Sequence, residues 1–143
     1  MYRLLPICLT FFSFVAAFGQ ASQFTGVWDG EMNGLPAVEL KLTNDGSTVK
    51  GTIAFYLQMR GEDGTWHVAG DKDKAVQPLL SPHINGNTVT FEVTHAKHHG
   101  SSELGPNKTF RVEIAGPTTA YLREAGDGSD APGHGLKLTR VHE

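Results

Sequence analysis

Apolar and polar residues alternate along this chain in short runs with a period of two. In "PAVELKL" (36–42), Val38, Leu40 and Leu42 share one face, while Glu39 and Lys41 share the other. "TVKGTIAFYLQ" (48–58) repeats the pattern with Val49, Ile53, Phe55 and Leu57 on one side. "HINGNTVTFEVTH" (83–95) turns at Asn85-Gly86, then sets Val89, Phe91 and Val93, continued by His95, against Thr88, Thr90, Glu92 and Thr94. "KTFRVEIA" (108–115) points Phe110, Val112 and Ile114 one way. "TTAYLREA" (118–125) follows a Gly116-Pro117 turn and carries Leu122, and "GLKLTRV" (135–141) aligns Leu136, Leu138 and Arg140. Asp45-Gly46 and Asn85-Gly86 supply the positive φ that tight hairpins need. The polar stretches 60–65, 69–74, 96–108 and 125–134 read as loops, and no stretch has helical periodicity.

This pattern predicts an all-β fold: one antiparallel up-and-down β-barrel of about eight strands. A β-sandwich shows the same alternation and is the alternative. Hairpin connections between successive strands favour the barrel, because they describe a meander.

The ends of the chain narrow the compartment. Arg3, the apolar run Leu4 to Phe18, and the small residues Ala17 and Gly19 read as a signal peptide over 1–19, cleaved before Gln20. The apolar run is shorter than the ~20 residues that span a bilayer, and no second one follows, so no membrane span is expected after cleavage. The barrel domain then covers 20–143, exported to a periplasm or the extracellular space. Cys8 is the single cysteine and lies in the leader. The mature domain is therefore expected to have no disulfide, thiolate nucleophile or cysteine zinc site. The chain has 12 basic and 15 acidic residues and a net charge of −3; loss of Arg3 makes it more acidic. With no basic stripe, nucleic-acid binding is not expected.

Gly26-Val27-Trp28, at the start of the first strand, resembles the lipocalin signature Gly-x-Trp. Arg140 in "LKLTRVHE" is placed like the basic residue that packs over that tryptophan from the last strand, and this ending is also similar to that of fatty-acid-binding proteins. The resemblance is to calycin-like barrels, above all to compact lipocalin-like exported bacterial domains, and it implies a fold while leaving the ligand open. Arg140 shares the parity of Leu136 and Leu138. Trp28 is thus expected to plug the barrel where first and last strands pair, with Arg140 covering its ring for ~1–2 kcal/mol. Gly26 is expected to let the backbone bend into the wall. Two departures stand out. Gly34-Leu35-Pro36 runs straight into the next strand, leaving no room for the lid helices of fatty-acid-binding proteins. No helix is expected after the last strand, unlike in typical lipocalins.

The candidate chemistry is sparse. Inward apolar positions suggest a non-enzymatic barrel, without a cofactor, that binds a small apolar or amphipathic ligand. Its lumen candidates are Phe55, Leu57, Phe91, Val93, His95, Phe110 and Leu122, with Leu57 and Val93 near a mouth framed by the loops 60–74 and 96–108. Small barrels also fill their interiors. The second reading is therefore a filled barrel that binds a protein or glycan partner through Tyr56, Trp66 and Tyr121. A metal-dependent protein using His95, His98 and His99 is third. Their spacing matches no recognised zinc pattern, and a loop-borne cluster lacks obvious supporting carboxylates apart from Glu103. A solvated loop is the simpler reading of that cluster. "GDKDK" and "GDGSD" lack calcium-loop spacing, there is no Gly-x-Ser-x-Gly elbow, and Glu124 near the rim lacks a second carboxylate.

Overall fold

The alternating segments form eleven strands in the computed structural model, which describes residues 22–46, 48–70, 75–94, 102–126, 128 and 131–141. The expected leader over 1–19, and His95, His98 and His99, lie outside the described residues. The strands are β1 (Gly26–Met32), β2 (Leu35–Asp45), β3 (Thr48–Phe55), β4 (Gln58–Arg60), β5 (Trp66–Val68), β6 (Ala75–Pro78), β7 (Leu80–Asn85), β8 (Thr88–Val93), β9 (Lys108–Gly116), β10 (Thr119–Glu124) and β11 (Leu136–Val141). Nine of them make one antiparallel sheet in the order β6-β3-β2-β1-β11-β10-β9-β8-β7, and β4 pairs with β5 in a small separate sheet. The first strand pairs with the last, Trp28 opposite Arg140 and Gly30 opposite Leu138.

The sheet is nearly closed into a barrel, and its seam has a simple physical form. The two edge strands, β6 and β7, are consecutive pieces of one bent segment. The first piece pairs with β3, Phe55 opposite Ala75 and Thr52 opposite Pro78. The second pairs with β8, with a register shift between Leu80 and His83. Between the pieces, the Leu79 N–H donates to the Gly51 carbonyl at 3.0 Å. Ser81 takes φ 47 at the bend, a left-handed conformation that accompanies a bulge. With β6 and β7 taken as one stave, the wall has eight staves, each antiparallel to its neighbours. A meander closed between its first and last strands needs such an even number.

Inward positions fill much of the interior. Trp28, Phe24, Leu40, Ile53, Val89, Val112, Ala120 and Leu138 are fully buried, and no polar or charged residue is buried among the described residues. The pairing of β1 with β2 shifts between Gly30, opposite Val38, and Glu31, opposite Pro36, which leaves Ala37 of β2 as the extra residue of a bulge. Ala37 and Val38, neighbours in sequence, are both buried there. Gly30 faces inward because a side chain there would meet Leu138 Cδ2 at 2.7 Å and Leu136 Cδ2 at 2.8 Å. Asn33 and Gly34, with φ of 57 and 72, form the two-residue turn from β1 to β2. Nothing helical stands between those strands.

Candidate functional site

The two ends of the barrel differ, and the difference locates the site. At the base, Trp28 donates its Nε1–H to the Phe24 carbonyl at 2.8 Å. The Arg140 guanidinium lies 4.4 Å from the centre of the Trp28 ring and donates to the Gln23 carbonyl. Gln23 in turn donates its side-chain N–H to Gly86 in the β7–β8 turn at 2.9 Å. Residues 22–25 therefore cross the base from β1 to the far wall, with Phe24 driven inside. Gly26 begins the strand with φ 131, which glycine adopts readily and L side chains do not. A Cβ there would meet only ordinary contacts with Arg140, so Gly26 is required for its backbone conformation.

The opposite end is open. A cavity of about 370 Å³ is lined by Phe55, Ala75, Gln77, Val93, Thr94, Lys108 and Phe110. Each contributor lies where its strand meets the top of the barrel: Phe55 ends β3, Ala75 begins β6, Val93 ends β8 and Lys108 begins β9. The Phe55 and Phe110 ring centroids are 5.6 Å apart and tilted by 39°, while Phe91 stacks on Phe110 at 6.1 Å. One step deeper along each stave, Ile53, Phe91 and Val112 are all buried and close the floor. The cavity is a bowl at the mouth, and packed side chains occupy the barrel below it.

Its rim is polar. Lys108 Nζ contacts both carboxylate oxygens of Glu124 at 3.1 Å, with both side chains about two-fifths exposed. The Thr94 hydroxyl donates to Asn107 Oδ1 at 3.2 Å, and the Asn107 amide donates to Glu92 at 3.1 Å. Beside the mouth stands the β4–β5 hairpin, closed by an Asx turn. The Thr65 side-chain hydroxyl donates to Asp63 Oδ1 at 2.7 Å and its backbone N–H at 3.0 Å. These bonds hold the Asp63 carboxyl below the usual carboxylate range. Gln58 fastens the hairpin to the β1–β2 turn by donating to the carbonyls of Met32, Pro36 and Leu35 at 2.9, 3.1 and 3.3 Å.

Of the lumen candidates, Phe55, Val93 and Phe110 meet around the cavity. Phe91 and Leu122 are packed beneath it, 1% and 5% exposed. Leu57 lies past the end of β3, where its carbonyl accepts the Ala69 N–H at the foot of the hairpin, and it does not line the cavity. Trp66 is exposed on β5, whereas Tyr56 and Tyr121 are half-buried. Among the described residues, no three His, Cys, Asp or Glu side chains gather to hold a metal. A groove of about 450 Å³ between Asp29, Glu31, Lys137, Thr139 and Val141 lies on the outer face of β1 and β11. Its walls mix charged and polar side chains with the exposed Val141.

Sequence reasoning missed Lys108, Gln77, Ala75 and Thr94. Lys108 was within reach, because it has the inward parity of Phe110 and Val112. Gln77 was not, because Pro78 and the run Leu79-Leu80-Ser81-Pro82 break the alternation at the seam. No protein family, curated protein or solved structure matches the chain.

Proposed function

We propose that this is an exported, non-enzymatic β-barrel that binds a small apolar or amphipathic molecule in the mouth of the barrel. The observation that carries the reading is a cavity of about 370 Å³ with Phe55 and Phe110 in its lining, opposite a plugged base. Ligand sites are concave, largely apolar and furnished with a few polar groups, and this one combines Phe55, Val93 and Phe110 with Lys108, Gln77 and Thr94. The contact between Trp28 and Arg140 supports a calycin relationship. The leader over 1–19 supports a periplasmic or extracellular location.

An environment-sensitive apolar dye tests the proposal. The wild type should bind it, Phe55→Trp should report it by quenching, and Val93→Arg should abolish binding, since an unpaired charge at the cavity wall is costly to desolvate. Equal dye binding by Val93→Arg with an unchanged circular dichroism spectrum would refute the proposal. The second reading, a surface that binds a protein or glycan partner, rests on the exposed Met32, Met59 and Trp66 around the same end. It predicts that Trp66→Ala weakens partner capture and leaves dye binding unchanged.

A further inference from the structure

We infer that the mouth cavity is built for a small aromatic monocarboxylate of one or two rings; this rests on the mouth-binding reading above. Depth excludes a long chain. Ile53, Phe91 and Val112 close the floor, so an extended acyl tail has nowhere to descend inside the barrel. Volume sets the size. An apolar cavity of about 150 Å³ already holds benzene, so about 370 Å³ accommodates a fused pair of rings with a polar substituent. Ring geometry sets the shape. Phe55 and Phe110 stand 5.6 Å apart and tilted, presenting faces and edges on which a flat guest can stack within the usual 4.5–7 Å. A rigid planar guest also loses little conformational freedom on binding.

Charge sets the head group. Among the described residues, Lys108 is the one charged side chain lining the cavity, and its partner Glu124 stands outside that lining. An ammonium has three donors, and a half-exposed ion pair contributes little to stability, so a ligand carboxylate can replace or join Glu124 at small cost. Thr94 and Gln77 supply neutral polar groups beside it.

The test uses 2-naphthoate, its uncharged amide and palmitate as competitors of the bound dye. In the wild type, naphthoate should bind roughly tenfold more tightly than the amide. Lys108→Met should erase that preference while keeping the amide's affinity. Glu124→Gln should tighten naphthoate by roughly twofold to fivefold and leave the amide unchanged. Equal affinities of naphthoate and amide in the wild type would overturn the anion, and tighter binding of palmitate would overturn the small aromatic guest. Bound dye that none of the ring compounds displaces would overturn the ligand class and leave the mouth-binding reading standing. Absence of dye binding would remove the reading itself.

Discussion

The base of the barrel makes the sharpest prediction. Trp28→Ala removes a fully buried indole, and such truncations cost about 3–5 kcal/mol. It also strips the Phe24 carbonyl of its 2.8 Å donor, adding about 1 kcal/mol or more if no water replaces it. Arg140→Met keeps most of the apolar stem that lies along Gly26 and removes the charge over the ring and the donor to Gln23. Those losses together cost about 2–3 kcal/mol. The two costs must not add. Once the indole is gone the guanidinium has no ring to cover, so the double variant should be more stable than the sum of the singles by about 1 kcal/mol.

Urea unfolding followed by far-ultraviolet circular dichroism measures this cleanly, because the signal does not depend on the tryptophan being removed. Midpoint shifts at a common m-value give the four corners of the cycle. Additivity within about 0.3 kcal/mol would refute the coupling and leave Arg140 a bystander above an independently buried indole.

Three further outcomes are expected. Gly51→Ala should destabilise by several times the ~1 kcal/mol typical of a point substitution, because a Cβ there would lie 1.9 Å from the Lys41 carbonyl oxygen; a melt within 2 °C of wild type would contradict this. Gln58→Ala should speed amide exchange and proteolysis across 58–68 with little change in global stability, since its three bonds to the β1–β2 turn tie down only the hairpin; unchanged exchange would show that the hairpin holds itself. Asp63 should titrate below the ordinary carboxylate value near 3.9, as read by carboxyl NMR, and Thr65→Ala should move it back up. A carboxyl with a lowered folded-state pKa adds stability above its unfolded pKa and loses it as pH falls through the folded pKa. The turn should therefore loosen only in acid, and a Thr65→Ala titration identical to wild type would refute the stated cause.

Legibility in the sequence followed the regularity of the local physics. β8, β9 and β11 alternate without interruption, and their inward apolar sets, from Val89 to Leu138, are buried in the core or packed half-buried against it. Where a second constraint competes with alternation, the pattern misleads. The bulge in β2 buries Ala37 beside Val38, and Leu57 falls beyond the last ladder residue of β3, although it continues the parity of Phe55. The Asn33-Gly34 turn carried a readable hairpin signal that went unused. Phe24 had none, since it precedes the first strand and is drawn inside by the path of residues 22–25 across the base. The cavity was half legible: parity marks Phe55, Val93 and Phe110 as inward, but strand ends decide which inward residues meet open space.

Closure and the proposed binding site converge on one strand. β6 contributes Ala75 and Gln77 to the cavity, yet among the described residues it pairs only with β3 within the sheet, so its other side is the seam of the barrel. The other staves each pair with a neighbour on both sides, and the base is locked by Trp28, Arg140 and Phe24. Local opening concentrates where backbone pairing is thinnest. Under the proposed function the seam is where the wall is expected to yield to a guest, and the Leu79 bond to Gly51 at the bend ties that segment to β3 below the mouth. On that reading a guest enters at one stave of the mouth, away from the Trp28 and Arg140 packing that holds the base.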